Sequence, residues 1–285
     1  MPTIALVQMR MSPKPEANVR RAVELVEEAA RRGAEIVCLP ELFRSVYFPQ
    51  TEQAAAFRLA EPLDGPSVAT MSEVAHRLRV SVIVPLFELR AAGVYHNSLV
   101  VLDATGQPVG HYRKMHIPDD PHFYEKFYFA PGDLGFRPTP LPFCTIGTLI
   151  CWDQWFPEAA RLTALAGAQM LFFPTAIGWH ESEEAAVREE QLDAWITMQR
   201  SHAIASGVFV AAANRVGVEG ELTFWGSSFV VNPAGKVIAQ ASRDREEVLV
   251  VECELNDIAT QRHGWPFLRD RRVDAYGGLT QRMLD

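Results

Sequence analysis

RGAEIVCLP (residues 32–40) and AGAQMLFFP (166–174) carry a glycine and a proline in the same two places. Each stretch reads as a helix end stopped by glycine, then a short apolar strand closed by proline. Working outward, the likeness continues. TIALVQM (3–9) matches TIGTLIC (145–151), RVSVIVPL (79–86) matches GVFVAAAN (207–214), and NSLVVLDATGQPVG (97–110) matches SSFVVNPAGKVIA (227–239). Between the strands, Val19, Val23, Val26 and Ala30 have helical spacing within 16–32, and 66–79, 156–166 and 185–206 read as further helices. Each half therefore runs strand, helix, strand, helix, strand, hairpin. Strands this apolar need cover on both faces. The pattern predicts an α/β fold: a four-layer αββα sandwich of two mixed sheets, helices outside, with an internal pseudo-two-fold repeat.

The 285 residues allow one large domain or two small ones. The loop 117–142, which includes IPDDPHFYEKFYFAPGDLGFRPTP, is the only linker candidate, and it is rich in Phe and Tyr rather than Gly and Ser. It reads as a packed, functional loop, which favours a single domain over 1–285 against two joined by a linker. Hydrophobic residues make up 48%, enough for a core without staples. Cys38, Cys144, Cys151 and Cys253 form no CxxC pair, which argues against a disulfide framework and a zinc knuckle. His116, His122 and His180 lack metal-ligand spacing, and no metal site is read. A net charge of -8 argues against nucleic-acid and anionic-membrane partners. No run approaches the ~20 apolar residues of a membrane helix, and MPTIALVQMRMSPKP lacks a basic leader. A cytoplasmic location is expected.

In α/β sheets ligands bind beyond the carboxyl ends of strands. Glu41, Lys114 and Cys151 stand at three such ends. A cysteine is mostly protonated at neutral pH; an ammonium favours its thiolate and a carboxylate can take its proton. The same ammonium can stabilise an oxyanion, with the backbone N–H of Trp152 as a second donor. The trio suits attack on an amide-like C–N bond. Taken singly, each residue can be purely structural: Cys151 as core filler, Glu41 as a cap or partner of Arg44, Lys114 on a solvated edge strand. Cys38, Cys144 and Cys253 are read as structural.

LPELF (39–43), YRKMHIPDD (112–120) and ICWDQWFPE (150–158) resemble the three motif blocks of the nitrilase superfamily, and the likeness runs from the first strand to RDRRVDAY (269–276). The resemblance implies a catalytic triad of Glu41, Lys114 and Cys151 and no cofactor. FYEKFYFAPGD (123–133), CWDQWFPEAAR (151–161) and FPTAIGW (173–179) are similar to the N-carbamoylputrescine amidase branch. That likeness implies ureido hydrolysis of a small-molecule carbamoyl amine. It also makes Glu125 an additional active-site acid, orienting Lys114 and the substrate nitrogen.

The chain departs from that branch at one position. The branch has an acid where this chain has His180, within GWHESEE (178–184), so Glu181 or Glu183 is left to meet a distal ammonium. Tyr47 and Asp119 are candidates for the pocket wall and Trp179 for its apolar lining. A pocket for an anionic tail, as in N-carbamoyl-β-alanine, should gather Arg or Lys; one for an amine should gather acids and aromatics. Superfamily membership is also compatible with an aliphatic amide as substrate. A non-catalytic binding member is a further reading, and the presence of all three triad residues speaks against it. The tail 262–285, with Trp265, Phe267 and RDRR (269–272), is expected in a homo-oligomer contact, as superfamily members commonly assemble.

Overall fold

The computed structural model describes residues 1–284. The first half holds β1 (Thr3–Gln8), α1 (Pro15–Arg31), β2 (Ile36–Cys38), α2 (Pro66–Leu78), β3 (Ser81–Ala91), β4 (Val94–Leu102), β5 (Pro108–Arg113) and β6 (Thr139–Pro140). The second holds β7 (Thr145–Thr148), α3 (Pro157–Leu165), β8 (Met170–Thr175), β9 (Gly178–His180), α4 (Ala185–Ser206) and β10 (Phe209–Asn214). It continues with β11 (Val216–Glu219), β12 (Leu222–Trp225), β13 (Phe229–Val231), β14 (Val237–Gln240), β15 (Glu247–Glu252) and α5 (Asn256–Gly264).

Local chemistry sets these boundaries. Proline opens α1, α2 and α3, where its fixed φ suits the first turn and its missing N–H costs nothing. The two matching hairpin turns close the same way. Gly106 N–H donates to Asp103 O at 2.9 Å and Gly235 N–H to Asn232 O at 2.8 Å. Their φ values are 79° and 82°, a region that a Cβ disfavours.

The first sheet has strand order β15-β1-β2-β3-β4-β5 and the second β14-β13-β10-β8-β7-β6. In each, three central strands run parallel and the flanking ones antiparallel. The halves thus repeat strand for strand, and they also trade. The first half supplies β6 to the edge of the second sheet, and the second half supplies β15 to the first. Ile4 and Leu6 of β1 face the second sheet, while Ala5 and Val7 pack under α1 and α2. α3 and α4 cover the outer face of the second sheet. This is the four-layer α/β sandwich that the apolar strands demand.

Two features depart from the expectation. The strand expected to run to Cys151 stops at Thr148, and Cys151–Trp155 forms a tight single-turn helix instead. Beside the two large sheets, β11, β12 and β9 form a small third one. Its strands are three or four residues long, too short to display a period. The loop after β5 is packed, as its composition suggests: Tyr128 and Phe129 join Phe48, Phe57 and Phe87 in an aromatic cluster. Among the described residues no helix is long and apolar enough to cross a membrane.

Candidate active site

Glu41 lies just past β2, Lys114 directly after β5, and Cys151 three residues beyond β7. The sheets bring these ends together with Glu125 from the long loop. Lys114 Nζ donates to Glu41 Oε1 at 2.8 Å and to Glu125 Oε2 at 2.7 Å, and all three side chains are fully buried. Asn97 Nδ2 bridges the same two oxygens, at 2.7 and 3.3 Å. Tyr47 OH donates to Glu125 Oε1 at 2.7 Å. Glu41 Oε2 is left buried with no protein partner among the described residues. Such an atom is costly unless something else approaches it.

Cys151 sits at φ +41, an uncommon conformation for a residue with a side chain, at the top of the Cys151–Trp155 turn. The turn is gripped from below. Asp153 accepts bonds from Ile150 N–H (2.9 Å), Tyr112 OH (2.8 Å) and His116 N–H (3.0 Å). Gln154 Oε1 accepts from Trp195 Nε1 (2.6 Å) and Gln199 Nε2 (3.0 Å), and His202 Nε2 lies 2.8 Å from Gln154 O. These last three residues lie on α4, whose buried stripe is therefore partly polar, because its task is to hold this turn. The thiol's nearest acceptor is Ala176 O, at 3.8 Å.

The Glu41 side has its own clamp. Buried Arg215 donates through Nη2 to Glu41 O (2.7 Å) and Leu42 O (3.2 Å). Its Nη1 donates to Ser45 O (3.3 Å) and to both oxygens of Glu219. Glu219 Oε2 in turn accepts the Tyr47 N–H at 2.6 Å.

Charge follows from burial. Burial and the Glu41 carboxylate push the Cys151 thiol well above its usual value, and Lys114 opposes them without winning. Burial would lower the Lys114 pKa, but Glu125 and Glu41 together raise it, so it stays an ammonium. Glu125 is pushed up by burial, against the pull of Lys114 and with a further push from Glu41. The resting site therefore holds a thiol, not a thiolate.

A cavity of about 730 Å³ opens over Cys151 and Glu125. Trp152 and His180 border it, with Phe123, Trp155 and Trp225 as apolar wall and Asp120 and Glu183 as further acids. No Arg or Lys is among the bordering residues. Glu183 holds Gln191 Nε2 on Oε1 at 3.0 Å, while its Oε2 is buried and unpartnered among the described residues.

A sequence model of the carbon-nitrogen hydrolase family matches residues 3–263. The chain belongs to that family. Carbon–nitrogen hydrolases similar to it include the N-carbamoylputrescine amidase of Solanum tuberosum, 41% identical, covering 96% of this chain and 93% of that protein. The citrullinase of Francisella tularensis is 35% identical over 98% of both chains. Among solved structures, a carbon-nitrogen hydrolase from Helicobacter pylori G27 superposes with a TM-score of 0.97 at 44% identity, covering 99% of each chain.

Three sequence expectations are corrected by the site of this carbon–nitrogen hydrolase. Tyr47 is not pocket wall; it is buried behind Glu125 and orients it. Asp119 is exposed and does not border the cavity; its neighbour Asp120 does. Trp179 points away, because β9 alternates and gives Gly178 and His180 to the cavity; it backs Trp225 at 5.2 Å. Sequence reasoning does not single out Asn97, Asp153, Arg215 or Glu219. Their signal is a polar residue inside or beside an apolar run, as in AAANR (211–215). Sequence spacing also gives no hint that His122 and His180 converge with Glu221, which they do.

Proposed function

We propose that this carbon–nitrogen hydrolase cleaves N-carbamoyl amines, with N-carbamoylputrescine as its preferred substrate. The carrying observation is that, away from Lys114 at the reacting centre, the cavity is lined by acids, histidines and aromatics with no Arg or Lys, and the unpartnered Glu183 oxygen lies beside it. A cationic amine tail satisfies that oxygen; a carboxylate tail meets only like charge. Kinship with an N-carbamoylputrescine amidase and a citrullinase supports the ureido part of the reading.

Glu41 takes the Cys151 proton through its free Oε2 as Sγ attacks the ureido carbon. Lys114 Nζ and the Trp152 N–H hold the oxyanion. The C–N bond breaks, Glu41 returns the proton, and ammonia leaves a carbamoyl thioester. Water, deprotonated by Glu41, cleaves the thioester, and Glu41 passes that proton to the departing Cys151 Sγ; the carbamate falls to carbon dioxide and amine. Glu125, tied to Tyr47, Asn97 and Lys114, orients the ammonium and meets the substrate nitrogen.

Ammonia release from N-carbamoylputrescine, citrulline and N-carbamoyl-β-alanine tests the assignment. The diamine derivative should give the highest kcat/KM; equal or faster turnover of N-carbamoyl-β-alanine would sink it. The same reading places the enzyme in the cytoplasm, a reducing setting that suits four free cysteines. It also makes the protein a homo-oligomer through its tail, where Trp265 and Phe267 stand 57% and 44% exposed.

A further inference from the structure

The cavity runs outward to a group that the hydrolytic mechanism does not use. Glu125 is fully buried and Cys151 nearly so, while the side chains of His180, His122 and Glu221 are 20%, 30% and 62% exposed. The two histidines border the cavity at its solvent end. They come from separate segments, the loop after β5 and the end of β9, and Glu221 comes from the turn between β11 and β12. His122 Nδ1 lies 3.6 Å and His180 Nε2 3.4 Å from the same oxygen, Glu221 Oε2. All three ligand atoms fall within 4.8 Å of one another.

We propose that His122, His180 and Glu221 form a binding site for a borderline divalent transition metal ion of the Zn²⁺ and Co²⁺ class. A tetrahedral ion with ligands at ~2.1 Å sets them ~3.4 Å apart, which is close to the spacing of both histidines from the carboxylate oxygen. Two imidazoles and one carboxylate suit such ions and not Mg²⁺ or Ca²⁺, which want oxygen shells. The other nitrogen of His180, Nδ1, lies 2.7 Å from Ser182 Oγ and accepts the Ser182 N–H at 3.2 Å; ligation through Nε2 moves the ring proton to Nδ1, which then donates to Oγ and gives up the N–H contact. The rings now stack at 4.0 Å and 18°, so their in-plane lone pairs run nearly parallel, and binding an ion requires at least one ring to turn out of the stack. Three protein ligands leave a fourth position for water. A bound ion ties the loop after β5 to the third sheet across the mouth of the cavity.

Co²⁺ titration of the whole protein tests this, read by calorimetry and by visible absorption. The Cys151→Ala variant removes the competing thiol. His122→Asn is the site variant, since Asn tolerates the φ of +67 found there. Wild type and Cys151→Ala should bind one ion with matching affinity, with tetrahedral d–d bands and no thiolate charge-transfer band. His122→Asn and His180→Gln should each weaken binding by about tenfold or more. Absence of binding to the wild type, survival of full affinity in both histidine variants, or loss of binding in Cys151→Ala would each overturn the proposal. The outcome is independent of which carbamoyl compound the enzyme prefers.

Discussion

Cys151 keeps its proton at rest, so its reactivity depends on access and on Glu41 rather than on a standing thiolate. Iodoacetamide should label Cys151 ahead of the other three thiols, because it alone of the four borders the cavity. Burial pushes Cys144 to about 11 and Cys253 to about 12. Peptide mapping after brief exposure checks this, and uniform labelling would contradict it. Cys151→Ala should abolish ammonia release and leave the unfolding midpoint nearly unchanged. Glu183→Gln should raise KM for N-carbamoylputrescine by about tenfold to hundredfold, the worth of one charge-assisted bond, with kcat little altered. Glu125 titrates the other way from most native carboxyls. Its folded pKa is raised, so the fold binds its proton more tightly than the unfolded chain does. Its contribution to stability is full below the ordinary glutamate pKa and is lost as pH rises through the raised one. Glu125→Gln should flatten that decline in a series of denaturant melts while costing about 10² or more in kcat. At this scale sequence reading reaches Glu41, Lys114, Glu125 and Cys151, whose motif blocks bring chemistry with them. It cannot separate Asp119 from Asp120, since a loop without period does not say which neighbour turns inward.

Helices and strands here are aimed by buried polar side chains. Arg215, just past the end of β10, reaches across to the chain after β2 and fixes the carbonyls of Glu41 and Leu42. Arg215→Met leaves Glu219 buried without its partner and should cost about 3–5 kcal/mol of stability along with most activity. Adding Glu219→Gln should recover part of the stability but not the activity. A double variant no more stable than Arg215→Met alone would show that the pair is not coupled. A second ion pair backs Lys114. Burial works to raise the Glu88 pKa, but bonds from Arg113, His111 and Ser98 outweigh it and hold Glu88 well below the usual carboxylate range. With a depressed folded pKa, this stability is present above the ordinary glutamate pKa and is lost as pH falls towards the folded one. Acid unfolding should therefore be blunted in Glu88→Gln, at the cost of a lower midpoint at neutral pH. The large elements are legible in sequence because their helices are punctuated by Pro and Gly and their strands are uniformly apolar. β9, β11 and β12 are not, since so few residues carry no measurable alternation and their pairing is set by the tertiary fold.

For the whole molecule, the tail and the two sheets answer to separate tests. Ending the chain after Gly264 removes the exposed Trp265 and Phe267 but no strand of either sheet. Light scattering should then report a smaller assembly with its circular dichroism preserved; an unchanged mass would remove the tail from the contact. The reciprocal edge strands reach further, into how the polypeptide is made. β1 pairs with β15 from Thr3↔Glu252 to Gln8↔Glu247, so β1 leaves the ribosome long before its partner on that edge does. Until residue 252 has emerged, a row of β1 amides and carbonyls has no lasting neighbour, and an open edge of this kind recruits other chains. Translation that halts before residue 247 would release a protein that holds Glu41, Lys114, Glu125 and Cys151 with its first sheet unsealed. Such products should aggregate or be held by chaperones, however sound each half is by itself.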